Sequence, residues 1–279
     1  MTPRPSEEQL DLLDRMERFS FELADFWNRR MRWQAELWNT TVMVGLTWLS
    51  VKRRLNSSGL EHIRGLDWER GVCLVANHRT FYDFFTICSR LNEESCFPAG
   101  RIMFPVRSTF FYDHPAGPIV NMLMSGMVMF PPILRDRDRK EWNTYALDRC
   151  ISDLQDNAAV IGIHPEGSRS RADDMFEVGK GRVGAAVIAL EARDAQIVPV
   201  FLAGITNDLL EEIRRNWFEP ENYPVYLAFG PEVEFCDLQA ATNDLGASRK
   251  ATNRCMEAIR VLAEQCRREA AEERVTAEA

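Results

Sequence analysis

Cys-x-x-Cys spacing, a P-loop, internal repeats and an apolar run long enough to cross a bilayer are all missing from this 279-residue chain. Each absence closes a class of function. The seven cysteines are odd in number and scattered, which argues against zinc and for reduced thiols in a cytosolic setting. Gly179, Lys180, Gly181 and Arg182 open a helical pattern and could add positive charge near an anion, but they lack P-loop order, so no nucleotide cofactor is inferred. The apolar stretch from Thr40 to Val51 has only 12 residues, against the roughly 20 that a spanning helix needs. The opening residues, MTPRPSEEQLDLLDRMER, are acidic and have no apolar centre, so no secretory signal is expected. A net charge of −8 gives no basis for a nucleic-acid partner. The chain is 46% hydrophobic, enough to bury one sizeable core with a small appendage.

Histidine is scarce too, with four in all, and one of them ends an apolar run. Gly71 to Phe85 reads GVCLVANHRTFYDFF. Val72 to Ala76 has the pattern of a strand buried on both faces, and Thr80 to Leu91 has the length and apolar spacing of a helix. His78 then falls at the carboxyl end of a strand, where α/β proteins bind their ligands. A histidine there can take a proton from a hydroxyl near neutral pH, provided that a partner fixes its tautomer. Asp83 is the candidate partner, reachable if His78 sits on the turn and Asp83 on the helix. His62 and Asp67 have the same spacing, but they lie in polar EHIRGLDWERG, and His62 is read as a surface residue on an edge strand or connector.

A second stretch, Val160 to Arg171, reads VIGIHPEGSRSR. It predicts a buried strand that Pro165 ends, and Gly167 lets the backbone turn or approach a ligand closely. Glu166, Ser168, Arg169 and Arg171 follow on one loop. A guanidinium fork beside hydroxyls and free amides suits a phosphate, although solvated arginines on an ordinary turn would give the same letters.

Together the two stretches resemble the glycerolipid acyltransferase superfamily, in particular its 1-acylglycerol-3-phosphate acyltransferase branch. Asn77, His78 and Asp83 match the Asn-His-x-x-x-x-Asp block, and HPEGSRS, His164 to Ser170, matches its Phe-Pro-Glu-Gly-Thr-Arg-Ser loop. His164 departs from the usual aromatic, and a space-filling ring is the preferred reading over a second base. Two weaker blocks match loosely: Arg107, His114 to Gly117 and Arg135 for one, Val198 to Val200 for the other. The resemblance spans about Leu60 to Gly230. It implies a glycerol-3-phosphate acyltransferase-like fold, with His78 as base, Asp83 orienting it, and Glu166, Gly167, Ser168, Arg169, Arg107 and Arg135 serving the acceptor phosphate. It also implies acyl-CoA or acyl carrier protein as co-substrate, no cofactor and no metal, and lysophosphatidate as acceptor. Glycerol 3-phosphate, another lysophospholipid or a glycolipid would use the same machinery, and a catalytically silent membrane lipid-binding protein is the alternative from another class. Backbone amides near the turn are expected to stabilise the oxyanion.

From Leu60 onwards strands and helices alternate. Strands are predicted at Val72 to Ala76, Arg101 to Val106, Met127 to Phe130, Ala159 to Ile163, Ile197 to Leu202 and Val225 to Phe229. Helices are predicted at Tyr82 to Leu91, Arg139 to Gln155, Arg182 to Ala192 and Ser248 to Ala271, with the tail after Arg267 fraying. This is an α/β pattern with a largely parallel sheet covered by helices on both faces. Met122, Met124, Met127 and Met129 could line an acyl groove, though core filling explains most of them better.

Residues 1–55 stand apart from a 56–279 acyltransferase domain as an N-terminal amphipathic helical segment. Leu12, Met16, Phe19, Leu23 and Phe26 recur at helical spacing. From Trp27 to Arg54, six bases (Arg29, Arg30, Arg32, Lys52, Arg53, Arg54) meet one acid, Glu36, giving +5 and leaving −13 for the rest. A cationic, tryptophan-rich segment of this kind predicts peripheral or monotopic attachment to anionic lipid at the cytoplasmic face of a membrane. A helical hairpin packed on the core would read similarly.

Overall fold

The computed structural model describes residues 2–94, 97–238 and 244–278. A six-stranded sheet forms the centre, in the order β1-β8-β7-β2-β6-β3. Its strands are β1 (Leu55–Ser58), β2 (Val72–Ala76), β3 (Ile102–Met103), β6 (Val160–Ile163), β7 (Gln196–Ala203) and β8 (Val225–Phe229). The pairs are parallel except β7 with β8. A separate parallel pair joins β4 (Val106–Arg107) to β5 (Pro132–Ile133).

Alternation along β2 divides the core. Cys73 and Val75 point into a layer with Phe21 and Ala24, Trp142 and Tyr145, Ala186 and Ile188, and Ile259 and Leu262. These come from α2 (Arg15–Arg30), α8 (Lys140–Asn157), α9 (Val183–Glu191) and α11 (Leu245–Glu278). Val72, Leu74 and Ala76 point the other way, onto Val51, Ile63, Phe85, Ile87 and Leu91, from α4 (Val44–Val51), α5 (Leu60–Arg64) and α6 (Asp83–Glu94). Helices therefore cover both faces, and β2, buried at all five positions, has strands on both sides. The rest are α1 (Glu7–Leu10), α3 (Arg32–Trp38), a π segment at Asn39–Met43, α7 (Gly117–Ser125) and α10 (Leu209–Phe218).

Several local expectations change. The strand expected at Met127 to Phe130 is irregular: Met127 has φ 70°, and the stretch is buried without pairing as a strand. Arg101 to Val106 splits into β3 and β4. His62 lies in the short helix α5, not on a strand or connector. The helix expected to end near Ala271 is longer, because α11 runs past Arg267 to Glu278. Met127 and Met129 are buried, and Met122 packs against the cluster that contains Met127, as core filling requires.

Most informative is α2. Its buried face is Glu17, Ser20, Phe21, Ala24 and Asn28, whereas Phe19 and Phe26 of the expected apolar stripe are 57% and 55% exposed. The polar members of the buried face are bonded: Ser20 donates to the Tyr112 carbonyl at 3.0 Å, and Asn28 to the Met127 carbonyl at 2.8 Å. The Glu17 carboxylate accepts from Arg139. Hydrogen bonding thus turned a mixed face inward and left an apolar one outside.

Candidate active site

The chain reaches the site along β2. Asn77, buried, extends the sheet beyond the strand: its amide group donates to the Leu202 carbonyl at 2.8 Å, and its oxygen accepts the Leu202 N–H at 2.8 Å. A side chain thereby replaces the next rung of the β2–β7 ladder and frees the backbone to turn. His78 occupies that turn, and Asp83 opens α6.

His78 Nδ1 lies 3.0 Å from Asp83 Oδ2. The carboxylate also accepts the N–H of Arg79 at 2.8 Å, the N–H of Thr80 at 3.0 Å and the Thr80 hydroxyl at 2.7 Å. Burial alone would raise the Asp83 pKa, but the His78 bond, both nearby imidazoles and the Thr80 hydroxyl outweigh it and hold the carboxyl below its ordinary range. An ionised carboxylate only accepts hydrogen bonds, so Nδ1 of His78 carries the proton and Nε2 keeps its lone pair. That tautomer is a base.

Glu166 is buried, and its Oε1 accepts the His78 N–H at 3.0 Å. It thus orients a neighbouring backbone amide. Burial raises its pKa, against hydrogen bonds from the His78 and Gly179 amides. Ser170 N–H donates to the His78 carbonyl at 2.7 Å, a further tie between the two sequence stretches.

His164 lies flat on His78, with ring centroids 3.8 Å apart and planes 10° from parallel. Its Nδ1 donates to the Ala76 carbonyl at 3.1 Å. Burial, then the nearness of His78, pushes its pKa down to about 3. A ring so reluctant to charge is a weak base near neutrality, in keeping with the expected space-filling role. His78, Asp83 and His164 bring ligand atoms within 4.8 Å of one another. Two stacked rings, however, cannot both aim an in-plane lone pair at one ion, so this arrangement is a poor metal centre.

Gly167 adopts φ 65°, and a Cβ there would lie 2.8 Å from Arg182 Cδ. Its carbonyl accepts from Arg107. Arg107 is held below its ordinary pKa by burial and then by Arg135, Arg182 and Arg169, in that order, which puts four guanidinium groups around one loop. The β4–β5 pair explains two of them, since Arg107 registers with Ile133 and Arg135 follows two residues later. Among the described residues none of the four pairs with a carboxylate, in a chain where Arg54, Arg139, Arg149, Arg214 and Arg254 all do. Ser168 is exposed, and among the described residues the N–H groups of Ser168 and Arg169 have no partner.

The turn amides expected for an oxyanion are engaged: His78 with Glu166, Arg79 and Thr80 with Asp83, and Phe81 with Asn207 Oδ1 at 2.9 Å. His114 stacks on Phe110 and accepts the Ala116 N–H, and no described hydrogen bond joins it to His78 or Asp83. Asn207, which also accepts from Arg169 at 3.3 Å, is the residue that sequence reading missed. Its only available signal was its place just after β7, beside β2 in the sheet.

Residues 54–203, more than half of the chain, match the Acyltransferase family model, and the chain belongs to that family. It is an acyltransferase by family, with His78 and the cationic loop at the carboxyl ends of adjoining strands. Among solved structures, the 1-acyl-sn-glycerophosphate (LPA) acyltransferase PlsC from Thermotoga maritima has a similar fold, at 17% identity and a TM-score of 0.50, with 89% of this chain and 87% of that one covered. A sequence search of curated proteins gave no match.

Proposed function

We propose that the protein moves a fatty acyl group from acyl-CoA or acyl carrier protein to the free hydroxyl of a lysophosphatidate-like acceptor, in phospholipid synthesis. The observation that carries this reading is a histidine lone pair, fixed by Asp83, beside four arginines free of carboxylates. His78 Nε2 removes the hydroxyl proton as that oxygen attacks the thioester carbonyl. The tetrahedral adduct then expels the thiolate, which takes the proton back from the imidazolium. No acyl-enzyme is needed. Arg107, Arg135, Arg169 and Arg182, with the free amides after Gly167, suit a doubly charged phosphate. Beside the site Phe84 packs on Phe104 and on His164, with ring centroids 4.8 and 4.3 Å apart.

The same reading puts the enzyme on the cytoplasmic face of a membrane. No helix among the described residues is long and apolar enough to cross one. Support comes from exposed Phe19, Phe26, Trp33 and Leu37, with Ile119 and Leu123 of α7. Charge supports it less than the sequence implied: Arg54 is buried in an ion pair, and Lys52 and Arg29 bond Glu93 and Asp25. Attachment is therefore mainly apolar, and vesicle binding should weaken only modestly with salt.

The deciding assay is thiol release from palmitoyl-CoA by purified protein, with and without lysophosphatidate. Acceptor-dependent release is expected. Release at the same rate without acceptor, or none with any phosphate-bearing acceptor, would overturn the reading.

A further inference from the structure

Arg169 has one side-chain partner among the described residues, and that partner is neutral. Asn207 Oδ1 accepts from Arg169 Nη1 at 3.3 Å and from the Phe81 N–H at 2.9 Å. One oxygen thus joins the cationic loop to the turn that carries His78. We propose that Asn207 is a positioning residue of the acceptor site, aiming Arg169 at the acceptor's phosphate without cancelling its charge; this rests on the function proposed above.

The loop that carries Asn207 is held firmly enough for the role. It leaves the carboxyl end of β7 at Gly204, whose φ of 93° and whose distance of 2.3 Å from a notional Cβ to the Pro224 carbonyl leave room for glycine alone. Thr206 donates its N–H and its hydroxyl to Glu212 Oε1, at 3.0 and 2.8 Å. The other Glu212 oxygen takes the guanidinium of Arg54, and the two side chains are 1% and 0% exposed. Arg54 in turn donates to the Tyr223 carbonyl at 2.9 Å. On the far side Asp208 caps α10, accepting the Glu211 N–H at 3.1 Å. Asn207 stands between two anchored neighbours, exposed at the crest, so its carboxamide has a fixed base from which to orient an exposed arginine.

The choice of an amide is informative. A carboxylate at this position would accept the same two hydrogen bonds, and more strongly, because its acceptor is charged. It would also form an ion pair with Arg169 and compete with any phosphate for it. The four arginines around Gly167 share this absence of acidic partners, and an amide preserves it. Asparagine therefore separates direction from neutralisation, and the two can be tested apart.

The test is steady-state thiol release at fixed palmitoyl-CoA and varied lysophosphatidate, for wild type, Asn207→Ala, Asn207→Asp, Arg169→Ala and the two double variants. Asn207→Ala is expected to raise the acceptor KM about three- to tenfold with kcat nearly unchanged, the size of one ordinary lost hydrogen bond. Asn207→Asp, which keeps both bonds, is expected to raise KM at least as far. In the Arg169→Ala background neither should add to the KM already lost. Wild-type KM in Asn207→Asp, or a full additional loss in the double variants, would show a merely structural asparagine and end the proposal. Wild-type KM in Arg169→Ala would remove the phosphate reading and this proposal with it, whereas a clear Arg169 effect beside silent Asn207 variants removes this proposal alone.

Discussion

His62 and His78 each stand five residues before an aspartate, and only the second pair meets. The His62 side chain is 35% exposed on the last turn of α5, with Glu61 at 3.8 Å as its acidic neighbour. Asp67 accepts the N–H of Glu69 in a local turn at 3.0 Å, and no described hydrogen bond joins it to His62. The difference is supplied by what precedes and follows. Before His78 is a strand buried on both faces, and Asn77 prolongs its pairing so that the turn starts at a fixed place. After it comes α6, whose first residue is Asp83 and whose free N–H groups favour a carboxylate there. The same carboxylate therefore closes the turn and holds the imidazole. Spacing permits the pair, but the strand, the turn and the helix end create it.

The largest expected effect separates the two histidines directly. His78→Ala should lower acceptor-dependent thiol release by about a hundred- to ten-thousandfold, the usual contribution of a positioned base, with circular dichroism and melting temperature little changed. His62→Ala should leave the rate within twofold. Comparable losses in both would show that the turn geometry does not single out His78.

Next in size is the aspartate. Asp83→Asn keeps the outline of the side chain but removes the charge that fixes the His78 tautomer and satisfies Arg79, Thr80 and the ring together. A loss on the order of a hundredfold in kcat is expected, together with lower stability from the poorly matched amides. Because the folded Asp83 pKa is depressed, its contribution to stability is complete above the unfolded carboxyl range. It is lost as pH falls through the folded value, so wild type and Asp83→Asn should converge in stability on acidification. Asp67→Asn is the matched control; an equal kcat loss there would dissolve the contrast.

The sequence carried much of this. Buried parallel strands such as β2, β6 and β7 announce themselves as short apolar runs between turn residues, and the two loops that follow β2 and β6 hold the motif residues. Pairing-dependent structure was not legible: β1 is Leu-Asn-Ser-Ser, a strand only because β8 lies beside it. The buried face of α2 was misread because its polar residues are satisfied by partners about 90 to 120 positions away, such as Tyr112, Met127 and Arg139, which no local periodicity can reveal. Asn207 is hidden for the same reason. It is an exposed asparagine in a loop, the most ordinary of placements, and its meaning comes from Phe81 and Arg169, 126 and 38 residues away.

Within the site the smallest expected effect on turnover belongs to His164, and it sharpens the contrast among the histidines. His164→Phe restores an aromatic ring of similar outline against His78 and Phe84, so activity near neutral pH should fall no more than about threefold, with a modest stability cost for the unpaired Ala76 carbonyl. Its distinguishing signature is the acid limb of stability. An unfolded histidine takes up a proton below about pH 6.5, whereas burial and then His78 delay protonation of folded His164 to about pH 3. Between those values the unfolded chain binds more protons, so wild type loses up to about 1.4 kcal/mol per pH unit from this group as pH falls. Phenylalanine removes that loss, and the gap between wild type and His164→Phe should close and then reverse on acidification. Parallel stability curves would show that folded His164 keeps an ordinary affinity for the proton, and a hundredfold fall in turnover at neutral pH would give the ring a part in the reaction beyond filling space.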